Sequence, residues 1–217
     1  RTLFEHIGKR MLLDRDDDWP DRLSHATDSG SSTQILESNG LIPGGAQLVK
    51  RPIFCEKGDV HKDMPGYGHR QRCDMVIHLR MLQIITMTEQ GRQRCLETLN
   101  DVVAFSNPIP INFFERVELH GQGGLTLFKH PGGDKLKWFT CPKCTTPLPV
   151  GTNICWNVRC FFPTTSQGQH DLIRVYSMTN DFEKMDQLFQ DFNFDVSRAH
   201  QKRMRAHALG LDPRGPA

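Results

Sequence analysis

The sequence has no long apolar run and almost no net charge. No stretch approaches the roughly 20 apolar residues that a membrane-spanning helix needs, which predicts that no membrane is involved. The 27 Lys and Arg residues nearly balance the 25 Asp and Glu residues, so the formal charge of +2 does not by itself indicate a nucleic acid or a membrane surface as partner. An internal repeat and a long low-complexity tract are also lacking. The 217 residues are enough to bury a core in one or two domains.

The first residues lack two further features. The chain starts at Arg1 without an initiator Met, and no apolar signal core follows. We therefore expect the sequence to be a piece of a longer protein, with other domains upstream.

The seven cysteines are odd in number, and four of them fall within twenty residues. This pattern argues against a secreted disulfide framework and predicts an intracellular, reducing compartment. Outside the group of four, a buried or idle thiol is the simplest interpretation of Cys55, Cys73 and Cys95.

The four grouped cysteines have the spacing of a metal site. Cys141 and Cys144 form a CxxC pair, and Cys155 and Cys160 form a looser CxxxxC pair after ten intervening residues. Four thiolates suit a tetrahedral Zn²⁺ with no open position for chemistry, so a structural zinc is predicted. A redox motif would need a helix after the CxxC, and the prolines and glycine that follow exclude one. His170 is an alternative fourth ligand in place of Cys160.

The remaining pattern predicts an α+β fold. The hydroxyl-rich start and Gly40 at the end predict a short helix over residues 29–40. Apolar spacing predicts a helix over residues 181–192, and residues 172–176 fit either a strand or a helix. A basic helix is expected over residues 198–207. Strands are expected over residues 48–54, 74–79, 102–105 and 113–119.

Several groups in the first half of the chain suit anionic ligands. Arg51 opens a predicted strand, and Arg70 precedes the next one. An arginine is always charged and grips phosphate through two parallel hydrogen bonds. Arginines at strand edges can therefore fix a pyrophosphate or a phosphorylated substrate, with His25 and Thr27 ahead of the first helix.

Five short motifs follow one another over residues 22–119: His25-Ala26-Thr27, a helix ending in Gly40-Leu41, the strand opened by Arg51, Gly68-His69-Arg70, and Phe105-Ser106-Asn107. Their order resembles that of the tRNA 2′-phosphotransferase family, whose catalytic lobe belongs to the ADP-ribosyltransferase superfamily. The resemblance implies a split β-sheet whose cleft holds NAD as co-substrate. It also implies that a 2′-phosphate of RNA is moved onto NAD.

The resemblance also implies roles for individual residues. Arg51, Arg70 and His25 would be catalytic, the two arginines by holding phosphates. NAD would contact His25, Thr27, Gly40, Leu41, Ser106 and Asn107. The implied organisation is a catalytic lobe over residues 1–136, a zinc-ribbon-like module over 137–166 and a helical segment over 167–217.

The sequence also departs from the family pattern. Ala26 replaces the glycine of the family, and no histidine follows Arg51 in its strand. An alternative interpretation is therefore a non-catalytic zinc-binding domain that contacts RNA or protein within a larger assembly. Lysines around the metal motif, together with Trp138 and Trp156, are compatible with RNA, although Trp156 more simply packs the module.

Overall fold

The computed structural model describes residues 19–44, 51–58, 73–98, 102–120, 124–179 and 181–192. These residues form a mixed α+β fold with a large antiparallel sheet. The strands are β1 Leu23–Thr27, β2 Gly40–Leu41, β3 Ile53–Lys57, β4 Met75–Leu79, β5 Cys95–Glu97, β6 Val102–Phe105, β7 Ile109–Pro110, β8 Phe114–Leu119, β9 Leu125–Lys129, β10 Trp138–Thr140 and β11 Pro147–Pro149. The helices are α1 Ser32–Glu37, α2 Met81–Glu89, α3 Ser166–Met178 and α4 Phe182–Asp191.

Seven of the described strands pair into the large sheet in the order β5-β6-β3-β1-β4-β8-β9. All of these pairings are antiparallel. Two smaller pairs, β2 with β7 and β10 with β11, lie outside that sheet. The α+β class predicted from the sequence is therefore confirmed, and no family of folds follows from it alone.

The apolar run at residues 74–79 forms the strand β4, as predicted. All five residues of β4 are buried, including His78. A strand that is covered on both faces reads as a continuous apolar run rather than an alternating one, which is why the sequence pattern was informative here. The predicted strands near residues 102–105 and 113–119 also form, as β6 and β8.

The two C-terminal helices bury one face each. Leu172 and Val175 of α3, with Leu188 of α4, belong to the main hydrophobic core. The segment 172–176, for which strand and helix were both open, lies within α3. The helix α4 confirms the prediction for residues 181–192, whereas the expected helix over 198–207 lies outside the described residues.

The sequence pattern missed the helix α2. Five of its nine residues are apolar (Met81, Leu82, Ile84, Ile85 and Met87), but they are spread around the helix and only Ile84 is buried. Apolar residues that do not form one stripe give little periodic signal. The strand predicted over residues 48–54 is shifted: β3 begins at Ile53 and runs on to Lys57, three residues past the predicted end, and residues 48–50 lie outside the described residues.

The first helix ends differently from the prediction. Asn39, with φ 55°, takes the left-handed position that was expected of Gly40. Gly40 instead begins β2 and pairs with Pro110. A Cβ at this position would overlap the carbonyl oxygen of Ile109, so the pairing of β2 with β7 requires glycine here.

Gly168 shows how closely α3 packs on the loop that leads to Cys155. A Cβ at residue 168 would overlap the backbone carbonyl of Asn153. We expect Gly168→Ala to lower the free energy of unfolding by about 1–3 kcal/mol, because the overlap outweighs the better helix propensity of alanine. Urea denaturation measures the change. The control His170→Ala, at an exposed position of the same helix, should leave stability and metal content unchanged; equal losses in the two variants would contradict the close packing.

Among the described residues, no helix combines the length and apolar character that crossing a membrane requires.

Candidate functional site

The four grouped cysteines converge on one point. Cys141 directly follows β10, Cys144 lies in the turn before β11, and Cys155 and Cys160 come from the next loop. Their four Sγ atoms all lie within 4.8 Å of one another. The Sγ atoms of Cys141 and Cys160 are 3.8 Å apart, and those of Cys144 and Cys155 are 3.6 Å apart.

These distances fit a metal centre better than disulfides. A disulfide would bring two sulfur atoms to about 2.05 Å, and all four thiols are free. Four thiolates placed tetrahedrally at about 2.3 Å from a zinc ion lie about 3.8 Å from one another. The cluster can therefore hold a metal ion such as zinc. His170, the alternative ligand, is exposed on α3 and is not one of the grouped residues.

Two compact turns present the cysteines. In the first, the N–H of Cys141 donates to the carbonyl of Thr146 (2.9 Å), and the N–H of Thr145 donates to the carbonyl of Cys141 (2.9 Å). Thr145, directly after Cys144, has a φ of 60°, which lets the chain turn back so that Thr146 bonds to Cys141. The CxxC spacing predicted this turn.

The second turn explains how the longer CxxxxC spacing reaches the same geometry. The carbonyl of Asn157 accepts hydrogen bonds from the N–H groups of Cys160 (2.8 Å) and Phe161 (3.1 Å). Phe161 has a φ of 46°, and the N–H of Cys155 then donates to the carbonyl of Phe162 (2.8 Å). The two additional residues are thus absorbed within a closed loop, and Cys160 still faces its three partners.

The thiols differ in how easily each loses its proton. Burial raises the pKa of Cys155, and it raises the pKa of Cys160 to about 11. Burial acts in the same direction on Cys144, but hydrogen bonds to Thr146 and to the neighbouring thiols bring its pKa down to about 6. A metal ion binds thiolates, and the lowered pKa of Cys144 favours the thiolate form at that ligand.

The two loops that carry the cysteines (the cysteine-bearing loops) are continuous with the large sheet. The N–H of Lys129 donates to the carbonyl of Gly151 (3.0 Å), and the N–H of Asn153 donates to the carbonyl of Leu127 (2.7 Å), so the loop before Cys155 pairs with β9. The buried hydroxyl of Ser32 donates to the carbonyl of Trp156 (2.6 Å). Trp156 is buried, as its packing interpretation predicted, and belongs to the main core.

A second feature is the point where the large sheet parts. The strands β1 and β3 pair at only two positions, Leu23 with Lys57 and Ser24 with Glu56. By comparison, β1 pairs with β4 at four positions, and β3 pairs with β6 at four. The sheet therefore has its shortest central pairing between β3 and β1.

His25 lies where these two strands separate. Its Nδ1 atom is 2.8 Å from the carbonyl oxygen of Phe54 in β3. A carbonyl oxygen can only accept, so Nδ1 carries the proton and Nε2 keeps a lone pair. Burial lowers the pKa of His25 and the hydrogen bond to Phe54 partly offsets this, so the ring is neutral at pH 7.

Most other predicted nucleotide-site residues lie at the same end of the sheet. Thr27 ends β1, and the exposed Arg51 lies two residues before the start of β3. Ser106 and Asn107 follow β6, whose last residue pairs with the first residue of β3. Because β1 and β6 both end where the antiparallel strand β3 begins, these residues share one end of the sheet. Arg70 lies outside the described residues.

Gly40 and Leu41 are placed differently. Both are buried, and both pair with β7, so their backbone and side chains are used in packing.

Two polar groups have partners that the sequence pattern did not predict. The buried amide of Gln93 both accepts from the N–H of Asn107 (2.9 Å) and donates to its carbonyl (2.9 Å), which fixes the turn after β6. Glu118 lies 3.1 Å from the Nε2 atom of buried His78, and this hydrogen bond is the main cause that lowers the pKa of Glu118. The sequence shows no motif for either contact, because Gln93 and Glu118 each bond to a residue in another strand or turn.

Comparison of the chain with protein-family models gives no match, and comparison with curated proteins gives none either. The resemblance to the tRNA 2′-phosphotransferase family therefore stays a prediction. The arguments that follow depend on the residues of this chain.

Proposed function

We propose that the chain is an NAD-dependent RNA 2′-phosphotransferase-like protein with an appended structural zinc module. The observation that carries the proposal is the parting of β1 from β3, with the ring of His25 at the separation point and Arg51 at its open end. This arrangement suits the split β-sheet that the family resemblance implies. The zinc would hold the module together and would take no part in the reaction, since four thiolates fill its coordination shell.

The chemistry of the residues at this end of the sheet suits a dinucleotide. The neutral ring of His25 has a lone pair on Nε2, which can accept a hydrogen bond from a ribose hydroxyl. The exposed guanidinium of Arg51 can bind the diphosphate through two parallel hydrogen bonds. Thr27, Ser106 and Asn107 add further polar groups around the same opening.

The proposed reaction has two steps. An oxygen of the RNA 2′-phosphate first bonds to the ribose carbon that carries nicotinamide, and the C–N bond breaks so that nicotinamide leaves with the electron pair. The ribose 2′-hydroxyl then attacks the phosphorus, and the RNA 2′-oxygen leaves and takes up the proton of that hydroxyl. The products are ADP-ribose cyclic phosphate and RNA with a free 2′-hydroxyl. The protein contributes fixed charge to the phosphates while positive charge develops on the ribose.

A second function is favoured by a different observation. Gly40 and Leu41, which the resemblance assigns to NAD, are buried in the pairing of β2 with β7. A chain that had kept the lobe only as a scaffold would use such residues for packing. In that case it would be a non-catalytic zinc-binding domain that contacts RNA or protein.

Calorimetric titration of the metal-loaded protein with NAD separates the two functions. We expect NAD to bind, and we expect Arg51→Ala and His25→Ala each to weaken binding about tenfold or more, because each removes a hydrogen bond to a charged or ordered group. Arg174→Ala is the matched control, because Arg174 is an exposed arginine on α3 away from the β1–β3 opening. The affinity of Arg174→Ala for NAD should equal that of the unaltered chain.

The absence of NAD binding by intact, metal-loaded protein would overturn the enzyme proposal and favour the scaffold. Equal weakening by Arg51→Ala and Arg174→Ala would show that NAD binds elsewhere.

A further inference from the structure

A cavity of about 520 Å³ lies between the cysteine-bearing loops, the helices α3 and α4, and the end of the large sheet. Cys160 lines it, so the cavity adjoins the cysteine cluster. Its volume falls within the range typical of small-ligand sites, and none of the residues assigned above to NAD lines it. The cavity is therefore separate from the proposed NAD contacts.

The wall of this cavity alternates aromatic rings with cations. The Nζ atom of Lys143 lies 5.8 Å from the ring centre of Phe162. The Nζ atom of Lys184 lies 5.9 Å from the ring centre of Tyr176. Phe161 and the exposed Arg159 complete this side of the wall. Cations beside flat rings form the kind of surface on which bases stack and phosphates bind.

The lysines at the wall are already paired, which leaves Arg159 as the available cation. Lys143 bonds to Asp191 (2.5 Å), and Lys184 bonds to Asp181 (2.6 Å). Within the part of the chain that the structure describes, Arg159 has no ion-pair partner. A ligand phosphate near Arg159 would therefore not have to break an existing ion pair.

The nearest carboxylate at the sheet end of the cavity is also satisfied. Asp74 accepts hydrogen bonds from the N–H of Ser29 (2.6 Å) and from its hydroxyl (2.7 Å). Its oxygens are engaged, although its negative charge remains. The lining carries three cations, Lys143, Arg159 and Lys184, against two carboxylates, Asp74 and Asp191, so positive charge is in excess.

The cavity opens at the same end of the sheet as the gap beside His25. Thr27 pairs with Met75, and Met75 pairs with Leu119. The residue before Met75 and the residue after Leu119 therefore lie at the end of the large sheet where β1 ends. Asp74 and His120, which line the cavity, belong to this group, and the N–H of His120 donates to the carbonyl of Asp74 (2.6 Å). A chain of nucleotides seated in the cavity would lie at the end of the sheet where NAD is proposed to bind.

We infer that this cavity binds one nucleotide of single-stranded RNA, with the base against Phe161 and Tyr176 and the phosphate at Arg159. The choice of RNA as ligand rests on the proposed function. The location of the site rests on the cavity and its charges. The cysteine-bearing loops then form one wall of the RNA site.

Fluorescence anisotropy with a labelled single-stranded RNA hexamer tests the inference on the full, metal-loaded chain. Arg159→Ala should weaken RNA binding about threefold to tenfold and reduce the slope of log affinity against log salt by about 1, because one phosphate contact is lost. Arg159→Lys should restore most of the affinity. Arg174→Ala, an exposed arginine that does not line the cavity, should leave affinity and slope unchanged.

Photo-crosslinking locates the base directly. RNA that carries 4-thiouridine should crosslink to the peptide containing Phe161 and Phe162 or to the peptide containing Tyr176. Crosslinks confined to other peptides, no binding of the hexamer, or an unchanged affinity in Arg159→Ala would each overturn the inference. Titration of the unaltered chain with NAD keeps the two proposals apart. If the unaltered chain binds NAD but not the RNA hexamer, only this RNA site is removed. If it does not bind NAD but Arg159→Ala still weakens RNA binding, only the transferase proposal is removed.

Discussion

Cys155→Ser should release the metal and lower the melting temperature by about 10 °C. Cys155 is a buried member of the cysteine cluster, and serine is a poor ligand for zinc. A metal present at about 1,000 times its dissociation constant contributes about 4 kcal/mol, which corresponds to about 8–16 °C for a chain of this size. The loss should spread beyond the loops, because they pair with β9 and share the main core. Elemental analysis and thermal melting measure both effects.

The control for this prediction is Cys73→Ser. Cys73 is half-buried and lies outside the cluster, so its variant should keep one metal ion per chain. A chelator should lower the melting temperature of the unaltered protein and of Cys73→Ser, and it should change Cys155→Ser much less. Unaltered melting of the chelated protein would contradict a structural role for the metal.

Trp156→Ala should lower the free energy of unfolding by about 3–5 kcal/mol, the usual cost of removing a buried tryptophan. Trp156 is 1% exposed, and its ring meets the ring of Phe128 edge to face, with 5.6 Å between centres. Trp156 also follows Cys155 directly, so its contact with Phe128 connects the cysteine-bearing loop to β9 of the large sheet. Urea denaturation monitored by far-UV circular dichroism measures the loss without depending on tryptophan fluorescence.

Two further variants make this prediction specific. Trp138→Ala removes a tryptophan that is 43% exposed and should cost less than about 1 kcal/mol. Trp156→Phe should cost clearly less than Trp156→Ala, because the buried Nε1–H has no hydrogen-bond partner among the described residues and its loss leaves no acceptor unpaired. Equal losses in the two Trp156 variants would show that the ring nitrogen has a bonding role.

The cysteine cluster could be predicted largely from the sequence, since the CxxC spacing by itself favours a tight turn. The second pair was harder, because its four-residue spacer forms a ligand turn only when the carbonyl of Asn157 closes it and Phe161 adopts a positive φ. Strand β4 was also predictable, because burial on both faces leaves a continuous apolar run. Helix α2 was not, because its apolar residues are spread around the helix and form no periodic stripe.

The sequence by itself determined the α+β class and the candidate metal ligands apart from the choice between Cys160 and His170, and it favoured the burial of Trp156, because each depends on residue type and short spacing. Only the tertiary structure decided that β1 and β3 part beside His25, that Gly40 and Leu41 are used in packing, and that an aromatic, cationic cavity adjoins Cys160. These features depend on which distant strands and helices meet. Contacts between residues far apart in the chain leave no local sequence pattern, because the residues near each partner do not show which distant residue it will meet.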